Sequence, residues 1–191
     1  MLRKLTLVFG LAVVIASAPV GSLPAAPVPT HLMKKGDILY FPTTVGTKWL
    51  YRDTGNAEVN YEVTKVEDHA DGKLVTVTGG SNPCQWLVSP SGLFITAMGM
   101  HKCDPPTPML RLPLASNKNW EFQQKGNGLK GLFAASGPEE VEVKAGKFTT
   151  IKVAIEWVGN NKPTVWYAPG VGVVKSERGL HLELLSFTPA K

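Results

Sequence analysis

The sequence predicts an all-β protein: two repeated antiparallel β-meanders, about 11–13 strands in total, forming a barrel, half-barrel or sandwich. Three observations lead there. Apolar and polar residues alternate with a period of two through most of the chain beyond residue 39. Turn-forming clusters separate those stretches, in a chain of 191 residues with 19 glycines and 15 prolines. A set of tryptophan, proline and glycine landmarks occurs twice, in the same order.

Each element follows from its local pattern. In "VNYEVTKVE" (Val59 to Glu67), Val59, Tyr61 and Val63 face one way and Asn60, Glu62 and Thr64 the other. "KLVTVTG" (Lys73 to Gly79) sets Val75 and Val77 against Leu74, Thr76 and Thr78. "KFTTIKVAIEWV" (Lys147 to Val158) puts Phe148, Ile151, Val153, Ile155 and Trp157 mostly on one face, and "HLELLSF" (His181 to Phe187) reads as a final strand. Alternation of this kind, rich in β-branched and aromatic residues, marks half-buried antiparallel strands. Turn signals lie between them at Asp53-Thr54-Gly55-Asn56, Asp71-Gly72, Pro90-Ser91-Gly92, Asn127-Gly128 and Ala145-Gly146. Leu129 to Ala135 is ambiguous between helix and strand, and no amphipathic helix longer than two turns stands out.

The repeat pairs "FPTTVGTKWLY" (Phe41 to Tyr51) with "LPLASNKNWEF" (Leu112 to Phe122), each with seven positions from proline to tryptophan. It also pairs "QWLVSPSGLFI" (Gln85 to Ile95) with "VWYAPGVGVV" (Val165 to Val174), each with Trp, two or three residues, Pro, then Gly before two apolar residues. The copies span about residues 40–100 and 111–178. One meander has one apolar face and cannot bury it alone, whereas two can cover each other. Trp49, Trp86, Trp120 and Trp166 thereby become matched positions and read as core. The sequence leaves the ligand-binding residues unknown; Trp86, Trp166 and Tyr167 are the candidates for facing a ligand.

The first 26 residues have the form of an export signal. Arg3 and Lys4 precede the apolar run Leu5 to Ala18 and the small residues of "SAPVGSLPAAP". The run is shorter than the roughly 20 residues that span a bilayer, and no later run is long enough for a membrane helix. A proline-rich linker (27–38) then leads into one β-domain (39–191). The chain has 20 basic and 15 acidic residues. Losing Arg3 and Lys4 leaves 18 against 15, a balance of +3. The cations are scattered, with no basic stripe for nucleic acid. Cys84 and Cys103 are the two cysteines. In an exported chain they are expected to pair, closing a loop of about 20 residues and stabilising it by roughly 3 kcal/mol. The alternative is a redox or metal thiol pair, but the spacing matches neither a zinc nor a thioredoxin motif.

No motif for a specific chemistry survives scrutiny. Gly170-x-Gly172-x-x-Lys175 lacks the third glycine and the helix of a dinucleotide loop. Asp68 and Asp71 have the wrong spacing for a calcium loop. His31, His69, His101 and His181 show no metal-ligand spacing, and no G-x-S-x-G or H-E-x-x-H is present. Glu140 and Glu142 share a strand face, as solvated carboxylates do. No catalytic residue, metal or cofactor is expected.

Taken as a set, "YFPTTVGTKWLYR", "AGKFTTIKV" and "WYAPGVGVVKSE" resemble a family of uncharacterised exported bacterial β-domains with FP-x-x-x-G-x-x-W-x-Y, AGKF and YAPGVG-x-VK motifs. The matching positions are Phe41, Pro42, Gly46, Trp49 and Tyr51; Gly146, Lys147 and Phe148; and Tyr167, Ala168, Pro169, Gly170, Gly172 and Lys175. The family's layout is similar to periplasmic half-barrels that carry lipoproteins or lipids, an analogy of fold alone. The functional expectation is an exported, periplasmic or extracellular, non-enzymatic domain that binds an apolar or amphipathic ligand, with lipid, a lipoprotein or an envelope protein as partner. Its alternatives are an envelope protein–protein or structural module, and an enzyme of unrecognised type. The Gly170 to Gly172 stretch is expected to serve the turn, so a bulky residue at Gly172 should cost stability first.

Overall fold

The computed structural model describes residues 39–190, except 81, 127, 160, 161 and 180. The expected signal (1–26) and linker (27–38) lie outside the described residues. The alternating segments become twelve strands: β1 (Lys48–Asp53), β2 (Glu58–His69), β3 (Gly72–Gly79), β4 (Cys84–Ser89), β5 (Gly92–Met98), β6 (His101–Arg111), β7 (Asn119–Gln123), β8 (Lys130–Val143), β9 (Gly146–Trp157), β10 (Thr164–Ala168), β11 (Gly172–Glu177) and β12 (Leu182–Thr188). There is no helix among the described residues. The ambiguous Leu129 to Ala135 stretch opens β8, the longest strand at 14 residues. Its alternating burial settles the choice: Gly131, Phe133 and Ala135 are buried, while Leu132, Ala134 and Ser136 are exposed.

All twelve strands belong to one antiparallel sheet in the order β6-β5-β4-β3-β2-β1-β12-β11-β10-β9-β8-β7, curled into a nearly closed barrel. The order is two consecutive six-stranded runs, β1–β6 and β7–β12, joined where β1 pairs with β12. That junction is a full ladder from Lys48↔Thr188 to Asp53↔Leu182, with one irregularity between Leu50 and Tyr51. The facing edges, β6 and β7, form no ladder. They are joined where the Trp120 indole N–H donates to the Pro108 carbonyl at 3.0 Å and the Lys125 N–H to the Asp104 carbonyl at 2.9 Å. Pro105, Pro106 and Pro108 remove three backbone donors from β6, which limits ladder formation along it.

Because every neighbour runs antiparallel, the connections divide between the two ends of the barrel. Those after β2, β4, β6, β8 and β10 lie at one end, together with the opening segment 39–47. This end is plugged. The Phe41 ring stacks on Trp86 at 5.2 Å and tilts against Trp49 at 5.4 Å. The Gly170 N–H donates to the Leu39 carbonyl at 2.7 Å. The Trp49 indole donates to the Val171 carbonyl at 2.7 Å, and the Tyr51 hydroxyl to the Val173 carbonyl at 2.6 Å. The resemblance motifs at 41–51 and 167–175 are thus two halves of one plug.

Gly172 is required in that plug on two counts. Its φ is +93°, and a Cβ there would lie 3.0 Å from Phe41 Cδ2. Its counterpart Gly92, at φ +134°, meets the Leu110 carbonyl oxygen, 1.9 Å from where a Cβ would sit.

Candidate functional site

Inside the barrel lies a cavity of about 370 Å³, at the small end of the roughly 300–1,000 Å³ range of ligand pockets. Both runs build its wall. Trp49 and Tyr51 come from β1, Tyr61 from β2, Val77 from β3, Cys84 and Trp86 from β4, and Met109 from β6. The second run supplies Ile155 and Trp157 from β9 and Val165 and Tyr167 from β10. The period of two explains the selection: these are the inward members of their strands. The Phe41 plug forms the floor. Asn82, Met98, Pro163 and Gly179 belong to the opposite end, where the connections after β3, β5, β9 and β11 meet. Met98 is 56% exposed there, and beyond it Met100 is 98% exposed and Val158 73%. Among the described residues that line the cavity there is no Asp, Glu, Lys, Arg or His.

On the β7–β9 side aromatic rings pack against one another. Trp120 stacks on Phe133 at 5.3 Å, and Trp157 meets Phe133 and Phe122 edge-on at 5.4 and 6.4 Å. The barrel therefore holds both an aromatic core and an open apolar space.

The three candidate ligand-facing residues separate. Trp86 and Tyr167 line the cavity. Trp166 points to the opposite face, where its indole donates to Glu139 Oε1 at 2.5 Å beneath the Lys175 and Lys152 ammonium groups, 5.2 and 5.8 Å from the ring centroid. The matching of Trp86 with Trp166 is corrected accordingly. Counting back from the hairpins, Ser89 pairs with Gly92 and Ala168 with Gly172, which sets Trp86 level with Val165. Trp86 stands four residues before its proline and Trp166 three, and one residue of slip in a period-two strand exchanges the faces.

The expected Cys84–Cys103 bridge is not formed: both thiols are free. Strand β5 lies between the strands that carry them, with Cys84 opposite Met98 and Met98 opposite His101. Cys103 also falls in the irregular stretch of β6, where the ladder breaks between Ile95↔Thr107 and Ala97↔Lys102. Burial, followed by the nearby Cys103, pushes the Cys84 thiol up to about 12, so it stays protonated and non-nucleophilic near neutrality.

Tyr51 and Tyr167 are fully buried phenols in the same wall, and burial raises both well above the ordinary tyrosine value. Tyr51 spends its hydroxyl on Val173. Tyr167 is 0% exposed and its hydroxyl has no hydrogen-bond partner among the described residues. No group of three or more His, Cys, Asp or Glu placed to hold a metal occurs among the described residues. Sequence reasoning missed Tyr51, Tyr61, Met98 and Trp157 as cavity residues. Trp157 had a readable signal, because the alternation of 147–158 puts it on the face of Ile155.

No known protein-family profile matches the chain, and no curated protein matches it. Two solved structures are similar in fold. One is a Bacteroides fragilis protein assigned as exported and as having a YmcC-like fold, with 16% identity over 80% of this chain and 100% of that one and a TM-score of 0.50. The other is a Parabacteroides distasonis protein assigned as a lipoprotein, with 18% identity over 79% and 99% of the two chains and a TM-score of 0.47.

Proposed function

We propose that this chain is an exported, non-enzymatic β-barrel that holds an apolar or amphipathic molecule, such as a lipid, in its interior within the cell envelope. The observation that carries this reading is the cavity of about 370 Å³, walled by aromatic and aliphatic side chains of both six-stranded runs and lined by no charged group among the described residues. Apolar surface facing such a space is stabilised when a ligand excludes water from it, by about 25 cal/mol per Å². The export reading rests on the form of residues 1–26, and it agrees with the assignments of the two structures of similar fold. Native mass spectrometry of protein purified from the periplasm, with thermal shift against medium-chain hydrocarbons and amphiphiles, tests the proposal. Extra mass that dissociates as small molecule and a raised Tm are expected. Bare protein mass together with no stabilisation by any of these compounds overturns it.

A second reading, an interaction module of the envelope, draws on Met98, Met100 and Val158, which stand exposed at the open end. In that case Met100→Ser removes capture of a protein partner in a cross-linking pull-down and leaves small-molecule binding unchanged.

A further inference from the structure

We propose that the open end of the barrel docks on an anionic phospholipid surface. The turns beside the β6–β7 seam make the contact, and the cavity mouth turns toward the lipid. This names a partner for the interior site and rests on that reading for its purpose.

The exposed apolar side chains are not scattered. Among the described residues, five large ones stand exposed: Val45, Met98, Met100, Leu132 and Val158. Val45 belongs to the opening segment at the plugged end. Met98 and Met100 sit at the β5–β6 turn, Leu132 near the start of β8 and Val158 just after β9. Because β6 faces β7 across the seam, the β5–β6, β7–β8 and β9–β10 turns follow one another around the open rim. Four of the five therefore share one arc of it.

Charge divides the rim in the same way. From the last residue of one strand to the first of the next, the turns of that arc carry Lys125, Lys130 and Lys162, with His101, and no acid. The β11–β12, β1–β2 and β3–β4 turns form the other arc. They carry Glu177, Asp53 and Glu58 against Arg178, with His181. Lys102 in β6 adds a cation on the seam side. Asp104 and Glu156, set back on β6 and β9, reach Lys125 and Lys162 at 3.6 and 2.7 Å. Such exposed pairs are weak and exchange readily for another anion.

Apolar side chains set among cations suit the boundary of an anionic bilayer. The apolar groups enter the headgroup layer and the cations meet its phosphates. Continuity with the cavity favours lipid over a protein as the occupant. Met98 stands exposed on this arc and also lines the cavity. With the mouth pressed to the headgroup layer, an apolar molecule passes inside without crossing water, where its surface is unfavourably hydrated.

The test is flotation of the exported chain, purified from the periplasm, with phosphatidylcholine vesicles that contain or lack phosphatidylglycerol. At low salt the mixed vesicles should bind it at least about tenfold more strongly. Combined Met100→Asp and Val158→Asp should weaken that binding about tenfold, and Val45→Asp at the plugged end less than about twofold. The same proteins are melted with medium-chain amphiphiles in the absence of vesicles. Stabilisation equal to that of the parent chain shows that the rim variant is folded with its interior intact. If the chain stays off both kinds of vesicle, binds both alike, or loses as much through Val45→Asp, the docking is overturned. Stabilisation by the amphiphiles then keeps the interior site standing. Vesicle binding without any such stabilisation overturns the interior site and leaves the docking. Capture of a protein partner through Met100, with no vesicle binding, overturns the docking in favour of the interaction module.

Discussion

The barrel has two junctions between its six-stranded runs, and they differ. At β1–β12 the backbones pair in a continuous ladder, and Trp49 packs against Phe187 across it at 6.1 Å between rings. At β6–β7, the place a duplicated chain assigns to the same ladder, no ladder forms, and the contacts among the described residues include the Trp120–Pro108 and Lys125–Asp104 hydrogen bonds and an exposed Lys125–Asp104 ion pair. The cause is local. β12 reads LELLSFT and offers a donor at every residue, whereas β6 reads HKCDPPTPMLR and has three prolines. Duplication sets which strands face each other, but proline content decides whether they can pair. Prolines on an edge strand in general disfavour pairing with a foreign strand.

Five changes test that contrast, in descending order of effect. Ser186→Pro in β12 puts a proline opposite Leu50 in the paired junction. It should cost about 3 kcal/mol or more, lowering Tm by roughly 6–12 °C in a thermal melt followed by circular dichroism. A fall below about 2 °C would mean that the ladder is not what closes this side. Gly172→Val combines a forbidden φ with a clash against Phe41, and should lose about 2–4 kcal/mol in a urea titration. A full-stability Gly172→Val protein would remove the plug from the account.

The paired phenols give opposite signs. Tyr51→Phe leaves the Val173 carbonyl without its donor and should destabilise the ligand-free protein by about 1 kcal/mol, whereas Tyr167→Phe removes an unpartnered hydroxyl and should be neutral or stabilising by a similar amount. Equal losses at both positions would show that Tyr167 has a partner after all. Lys125→Ala at the unpaired junction removes an ion pair whose side chains are about three-quarters exposed, and should change stability by less than about 0.5 kcal/mol. Amide hydrogen exchange sharpens the same contrast, since amides of β7 should exchange faster than those of β1.

Much of this was written in the chain. Strands 58–69, 72–79, 146–157 and 182–188 follow from alternation within a residue or two of their bounds. The duplicated landmarks carry the two-run layout, because like segments fold alike. The final strand of the first run was harder to read. β6 hides behind three prolines, which are poor strand formers, and its place at an edge is what accommodates them.

The site was legible only in part. Trp86 and Tyr167 were within reach, since both sit one strand from a Pro-Gly hairpin. Trp166 was misplaced because one residue in the spacing to proline reverses a strand's faces, and only the observed register counts that residue. The cysteines were misjudged for a related reason: an even number in an exported chain suggests a bridge, but strand order put β5 between them.

Alternation, turn residues and duplication by themselves determined an all-β chain of two meanders, since these are local and near-neighbour properties that act whatever the final partners are. Tertiary structure alone decided that the barrel is plugged at one end by Phe41 and Gly172, that one junction stays unpaired, and that a neutral cavity remains with a lone phenol hydroxyl in its wall. The plug depends on groups more than a hundred residues apart meeting across the barrel, as the Trp49 indole meets the Val171 carbonyl, and no local pattern encodes such a meeting.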